Sequence, residues 1–223
     1  MEEEVFYKRH LPHYHHNTGN YFITFRLANS LPIGIEDKLR NEFEIEIKQI
    51  NKLVNIEEKI KAEYNCRKVY YDKFDRILNS CKTGELWLNE EKIASMVFNE
   101  IKGKESKEVE NIAFCIMPNH VHMLIGLNYE KEESKNDDQL HKINQTKLSN
   151  LLKLLKGRTA YEANLLLGRR GSFWHHESYE HIVRNEKEFK RIINYILMNP
   201  LKAGLVNEWN EWKWSYYKNK DEC

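Results

Sequence analysis

Tyr21 to Leu27 is a run of aromatic and branched residues, closed by Leu31-Pro32-Ile33-Gly34, and it predicts a strand. From Ile35 to about Cys81 apolar residues thin out, and Glu and Lys recur at helical spacing, which predicts one or two helices. Thr83-Gly84-Glu85 reads as a turn. Ile93, Met96, Val97 and Ile101 form one stripe and predict a helix from Asn89 to Lys102. The runs Glu108–Met117 and His120–Leu127, separated by Pro118-Asn119, predict an antiparallel hairpin.

Downstream, Glu130 to Asp138 is charged throughout and predicts a surface loop. Gln145 to Leu167 predicts a helix with Leu148, Leu151, Leu152, Leu155 and Ala160 inward and Lys153, Lys156 and Arg158 outward. Gly168-Arg169-Arg170-Gly171 is a basic turn, and a strand lies within Ser172 to Arg184. Phe189, Ile192, Ile193 and Ile196 mark a helix from Asn185 to Met198, which Asn199-Pro200 closes. Residues 1 to 20 read as an irregular N-terminal arm holding His10, His13, His15 and His16. These elements imply an α/β (α+β) sandwich, an antiparallel sheet with helices packed on one face. A length of 223 residues suits a single domain, 1–223, with a long helical insertion over about 37–105.

Composition narrows the setting. No apolar run approaches the ~18 residues of a membrane span, and Met1-Glu2-Glu3-Glu4 does not open a signal peptide. Cys66, Cys81, Cys115 and Cys223 show no C-x-x-C spacing, which fits a reducing cytoplasm and excludes a zinc ribbon. The net charge of +1 does not announce a nucleic-acid partner. From Leu151 onward, however, 13 Lys and Arg face 9 Asp and Glu, a local balance of +4. Cations segregated there suit a phosphate backbone, and a merely solvated surface is the plain alternative.

His120 and His122 change the picture. Residues two apart on a strand share a face, so two imidazoles can meet one divalent ion. On the last long helix Arg191, Tyr195 and Asn199 are successive i,i+4 neighbours. Tyr195 is a candidate nucleophile. A phenol with an ordinary pKa of about 10 needs help at neutral pH, which a metal and the Arg191 cation would supply. Asn199 offers either a ligand oxygen or a helix cap. Glu177 and His181 are candidates to assist proton transfer or the metal, or form a surface pair. Arg9, Lys153, Lys156, Arg158, Arg169, Arg170 and Arg191 are candidate DNA contacts. Trp174, Trp212 and Trp214 could stack on bases, although core packing is the commoner fate of at least two of them.

Ordered blocks spread over nearly the whole chain point to a family. They are Arg9-His10-Leu11-Pro12-His13-Tyr14, Tyr21-Phe22-Ile23-Thr24-Phe25-Arg26-Leu27, Met117-Pro118-Asn119-His120-Val121-His122, Gly171-Ser172-Phe173-Trp174 and Glu177-Ser178-Tyr179-Glu180-His181. Tyr195-Ile196-Leu197-Met198-Asn199-Pro200-Leu201-Lys202-Ala203-Gly204-Leu205-Val206 and Trp212-Lys213-Trp214-Ser215 complete the series. The chain resembles the REP-associated tyrosine transposases, within the single-tyrosine HUH transposase superfamily. The resemblance implies a ferredoxin-like fold with His120 and His122 as the metal pair, Asn199 as third ligand and Tyr195 as nucleophile. It implies a Mg²⁺- or Mn²⁺-dependent enzyme that cuts single-stranded DNA beside hairpins. The tyrosine would keep the 5′ phosphate and release a 3′-OH, in a monomer or homodimer. His175-His176 and the long charged helical stretch depart from the family pattern. The competing reading is a non-catalytic DNA- or RNA-hairpin-binding module on the same sheet, with a metal hydrolase as a third.

Overall fold

The computed structural model describes residues 5–8, 12–15, 19–80, 82–127 and 147–218, the first two segments by their backbone. Arg9 and the charged stretch 130–138 lie outside the described residues. The chain divides into two compact units, Met1–Ala28 with Trp87–Cys223, and Asn29–Leu86.

The larger unit contains β1 (Val5–Lys8), β2 (Pro12–His15), β3 (Gly19–Leu27), β4 (Val109–Met117), β5 (His120–Leu127), β6 (Trp174–Ile182) and β7 (Ser215–Tyr217). The first two pair antiparallel as Val5↔His15 and Lys8↔Pro12, where the sequence suggested an irregular arm. The run Val5-Phe6-Tyr7 favours the first of these strands. The other five form one antiparallel sheet in the order β6-β3-β5-β4-β7.

Numbered among themselves, β3, β4, β5 and β6 lie in the spatial order 4-1-3-2, the split βαβ arrangement of a ferredoxin-like fold, and β7 extends its edge. The smaller unit carries α1 (Ile35–Ile50) and α2 (Ile56–Asn79). The helix α3 (Glu91–Lys102) precedes β4, and α4 (Lys147–Leu166) joins β5 to β6. Between β6 and β7 lie α5 (Glu186–Leu197) and the single turn α6 (Asn199–Lys202).

Alternation sorts the sheet into two faces. Tyr21, Ile23, Phe25 and Leu27 of β3 and Val121, Met123, Ile125 and Leu127 of β5 enter one buried cluster. Against them lie Ile93, Val97 and Ile101 of α3 and Leu148, Leu152, Leu155 and Ala163 of α4. Each such side chain removed from water contributes about 1.5–3 kcal/mol. The helix over Glu91–Lys102 therefore belongs to the sheet and not to the insertion, so the helical unit runs Asn29–Leu86 and not 37–105.

Within that unit, Asn55 caps α2 by accepting from the Glu57 and Glu58 amides, and Phe43 packs on Tyr70 with centroids 5.1 Å apart. Gly84 closes it at φ 74°, where any Cβ would collide with the Asn29 carbonyl.

Trp174 settles in the core, edge-on to Phe25 and Phe173 at centroid distances of 4.8 Å. Its Nε1–H donates to the Thr159 hydroxyl at 2.8 Å, which is why Thr159 joins the inward stripe of α4. Trp214 packs partly buried on the same cluster, and the Trp212 Nε1–H donates to the Ile116 carbonyl. Replacing Thr159 by Val keeps the volume and strands the indole N–H. Urea unfolding should show a loss of about 1–3 kcal/mol, and no loss would mean the indole finds another acceptor.

Candidate active site

The opposite face of the sheet carries the histidine pair. β3 pairs with β5 so that Thr24 faces His122 and Arg26 faces His120, and β4 continues the rows with Cys115 and Met117. His120 and His122 are fully buried. Asn119 Oδ1 lies 2.6 Å from His120 Nδ1. A carbonyl oxygen only accepts, so His120 Nδ1 carries the proton and its Nε2 offers a lone pair. Thr24 Oγ1 lies 2.7 Å from His122 Nδ1.

The two Nε2 atoms are 2.9 Å apart. A hydroxyl both donates and accepts, so Thr24 supports either tautomer of His122. In one, His122 Nε2–H donates to His120 Nε2. In the other, Nδ1–H donates to Thr24 and both Nε2 lone pairs face a common point. Metal–nitrogen bonds of about 2.1 Å across that separation subtend roughly 90°, the angle between neighbouring positions of an octahedral ion. The pair therefore fits a divalent cation.

Burial pushes the His122 pKa down to about 3, so the ring stays neutral and able to ligate at neutral pH.

α5 lies on this face through Ile192, Ile193 and Ile196. Its start is fixed by Asn185, whose side chain accepts from the Glu188 amide, while the Glu188 carboxylate accepts from the Arg184 amide. This seats Tyr195 with its ring 5.3 Å from His122 and edge-on to Phe22 at 5.8 Å.

Asn199 follows one turn later and is fully buried. Neither its Oδ1 nor its Nδ2 has a hydrogen-bond partner, so the side chain is no cap; Met198 takes that position. An unsatisfied buried amide oxygen is costly, and a hard cation beside it would relieve that cost.

No family model matches the chain. A Haemophilus influenzae protein, provisionally named as a REP-associated tyrosine transposase, is 29% identical over 109 residues, 48% of this chain and 58% of its own length. The REP-associated tyrosine transposase of Escherichia coli is 25% identical over 117 residues, 52% of this chain and 59% of its own. The chain is thus similar, over about half its length, to two proteins named as REP-associated tyrosine transposases. It spans less than two thirds of either relative's length. The solved structure of a REP-associated tyrosine transposase bound to a REP hairpin is 16% identical, with a TM-score of 0.48, over 96% of this chain and 82% of that one.

The candidate DNA contacts are not all placed alike. Lys153, Lys156 and Arg158 belong to α4, on the sheet face away from Tyr195. Lys156 donates to the His175 and His176 carbonyls and to Ser178, stapling α4 to β6. Arg158 pairs with Glu100 and Glu162. Arg169 stacks 4.2 Å over Trp87 and donates to Asn164 and Ser172. Lys153 and Arg170 face solvent.

Arg191, expected to serve Tyr195, instead donates to Glu188 at 3.1 Å. His181 meets the same carboxylate at 3.1 Å, and desolvation lowers its pKa against the pull of Glu188. Glu177 lies 3.8 Å from His176, with its Oε1 buried and without a hydrogen bond.

Sequence reading passed over Thr24, Arg26 and Asn119 as site members. Strand alternation on β3 carried the signal for the first two, since Phe22, Thr24 and Arg26 share the His face.

The depressed His122 pKa sets a direction for stability. Between about pH 6.5 and the folded value of about 3, the unfolded chain binds a proton that the folded protein refuses. Stability should thus fall with decreasing pH across that window, by up to about 1.4 kcal/mol per unit from this group. Urea unfolding in EDTA at stepped pH should show this slope, reduced in His122→Asn. An unchanged slope in the variant would assign it to other groups.

Proposed function

We propose that this protein is a single-stranded DNA nuclease and strand transferase that acts beside DNA hairpins through a phosphotyrosine, in the cytoplasm. The observation that carries the reading is the Tyr195 ring 5.3 Å from His122, whose Nε2 converges with that of His120. The kinship with REP-associated tyrosine transposases supports it. His120, His122 and Asn199 would hold Mg²⁺ or Mn²⁺, which supplies Lewis-acid polarisation of the scissile phosphate.

Tyr195 Oη attacks the phosphorus in line. An O–P bond forms to the tyrosine, the P–O3′ bond breaks, and the proton lost by the phenol ends on the 3′ oxygen. The bond energy stays in the phosphotyrosine, so a second 3′-OH can reverse the step and join strands. Phe22 and the buried α5 stripe hold the Tyr195 ring, and Thr24 and Asn119 fix the two imidazoles, so few soft torsions remain to be ordered.

Labelled single-stranded hairpin DNA from the gene's own flanks tests this. Wild type with Mn²⁺ should nick it and form a protein–DNA adduct, and both should vanish in EDTA and in Tyr195→Phe. Cleavage that survives in Tyr195→Phe would move the chemistry to activated water. Tight binding with no nick would favour the hairpin-binding module.

A second expectation concerns Asn199. Asn199→Leu removes two unsatisfied buried polar atoms, so the metal-free protein should gain about 1 kcal/mol of stability. Calorimetric Mn²⁺ titration should show weaker binding at the same time. Unchanged Mn²⁺ affinity would exclude Asn199 as a ligand.

A further inference from the structure

Transfer of a phosphoryl group to Tyr195 calls for a cation on its side of the sheet. Four of the cations singled out from the sequence do not meet that need, because Arg191 is held by buried Glu188 and Lys153, Lys156 and Arg158 stand on α4 across the sheet. Lys202 does. It ends α6, seven residues and thus two turns beyond Tyr195, on the same stripe of the helical path. Its Nζ lies 5.5 Å from the centroid of the Tyr195 ring.

Lys202 is exposed and has no hydrogen-bond or ion-pair partner among the described residues. Its charge is therefore not spent on a carboxylate. The local fold makes the placement. Pro200 has no N–H to continue the ladder, yet the Lys202 amide donates to the Met198 carbonyl and the Ala203 amide to the Asn199 carbonyl, so the chain turns once more. That turn buries Asn199 and carries the ammonium back over the tyrosine.

We propose that Lys202 is a phosphate-contacting residue of the strand-transfer reaction, holding the phosphoryl group as it passes to Tyr195. The inference rests on the reading of Tyr195 as nucleophile. The DNA phosphodiester and the phosphotyrosine diester each carry one negative charge. Between them, phosphorus bonded to five oxygens concentrates more negative charge on the oxygens that do not react. An ammonium on a flexible stem has three donors and can follow those oxygens through the displacement. It is also a charge that favours the phosphotyrosine once formed.

Two measurements test the proposal, both on DNA that wild type converts to an adduct. In single-turnover adduct formation with Mn²⁺, Lys202→Gln should be slower by about 10- to 100-fold, and Lys202→Arg should recover most of the rate. Lys202 is exposed, so both variants should melt like wild type. The second measurement isolates the contact.

In EDTA, Tyr195→Phe protein should bind ordinary DNA more tightly than DNA with a methylphosphonate at the scissile position. Adding Lys202→Gln should bring that ratio close to one. A wild-type adduct rate in Lys202→Gln, or an unchanged binding ratio, would overturn the inference while leaving Tyr195 in place. Absence of any adduct from wild type across the flanks would overturn both.

Discussion

The antiparallel pairing of β3 with β5 sets both faces of the sheet at once. With Thr24 opposite His122 and Arg26 opposite His120, the odd positions of both strands enter the core under α3 and α4. A slip of one residue would turn His120 and His122 into that core and bring Val121 and Met123 out. The apolar burial that stabilises the unit is therefore the same constraint that aims the imidazoles. Their position is held by many side chains of the core, beyond their own hydrogen bonds.

A second layer converts position into orientation. Asn119 sits in the β4–β5 turn and Thr24 on the neighbouring strand, and each engages an Nδ1. The opposite nitrogens then converge whichever way the rings would otherwise rotate. Glu188 does comparable work for α5. It draws together the Arg184 amide, His181 and Arg191 at the helix start, where the helix dipole favours a carboxylate. Arg191 and His181 are thus both engaged by Glu188 at the start of the helix that carries Tyr195, a pairing that their residue types alone do not reveal.

Much of this was legible in the chain. Period-two and helical patterning located β3, β4, β5, α4 and α5 to within a few residues, because each buries one clear face. The His pair and Tyr195 were legible from strand alternation and motif spacing together. What escaped was partner choice. Helical spacing puts Arg191 one turn from Tyr195 and Lys202 two, and only tertiary packing shows that Glu188 takes the first while the second stands by the ring. Lys156 escaped for the same reason, since its outward direction on α4 did not foretell the β6 carbonyls it meets. The insertion boundary was misplaced because the charged surface of α3 resembles that of α1 and α2, although its apolar stripe belongs to the sheet.

The site also shows where stability gives way to chemistry. A core of this kind satisfies its polar groups, and Trp174 and Thr159 do so here. Asn199 does not, despite complete burial, and His122 is buried deeply enough to refuse a proton over a wide acidic range. An apolar residue at either place would fold more easily. Both departures fall on the face that Tyr195 and Lys202 share, and neither polar atom of the Asn199 amide is paired there. The unsatisfied Asn199 amide and the Lys202 ammonium 5.5 Å from the Tyr195 ring lie on one face, where the proposed reaction would bring a cation and a phosphate together.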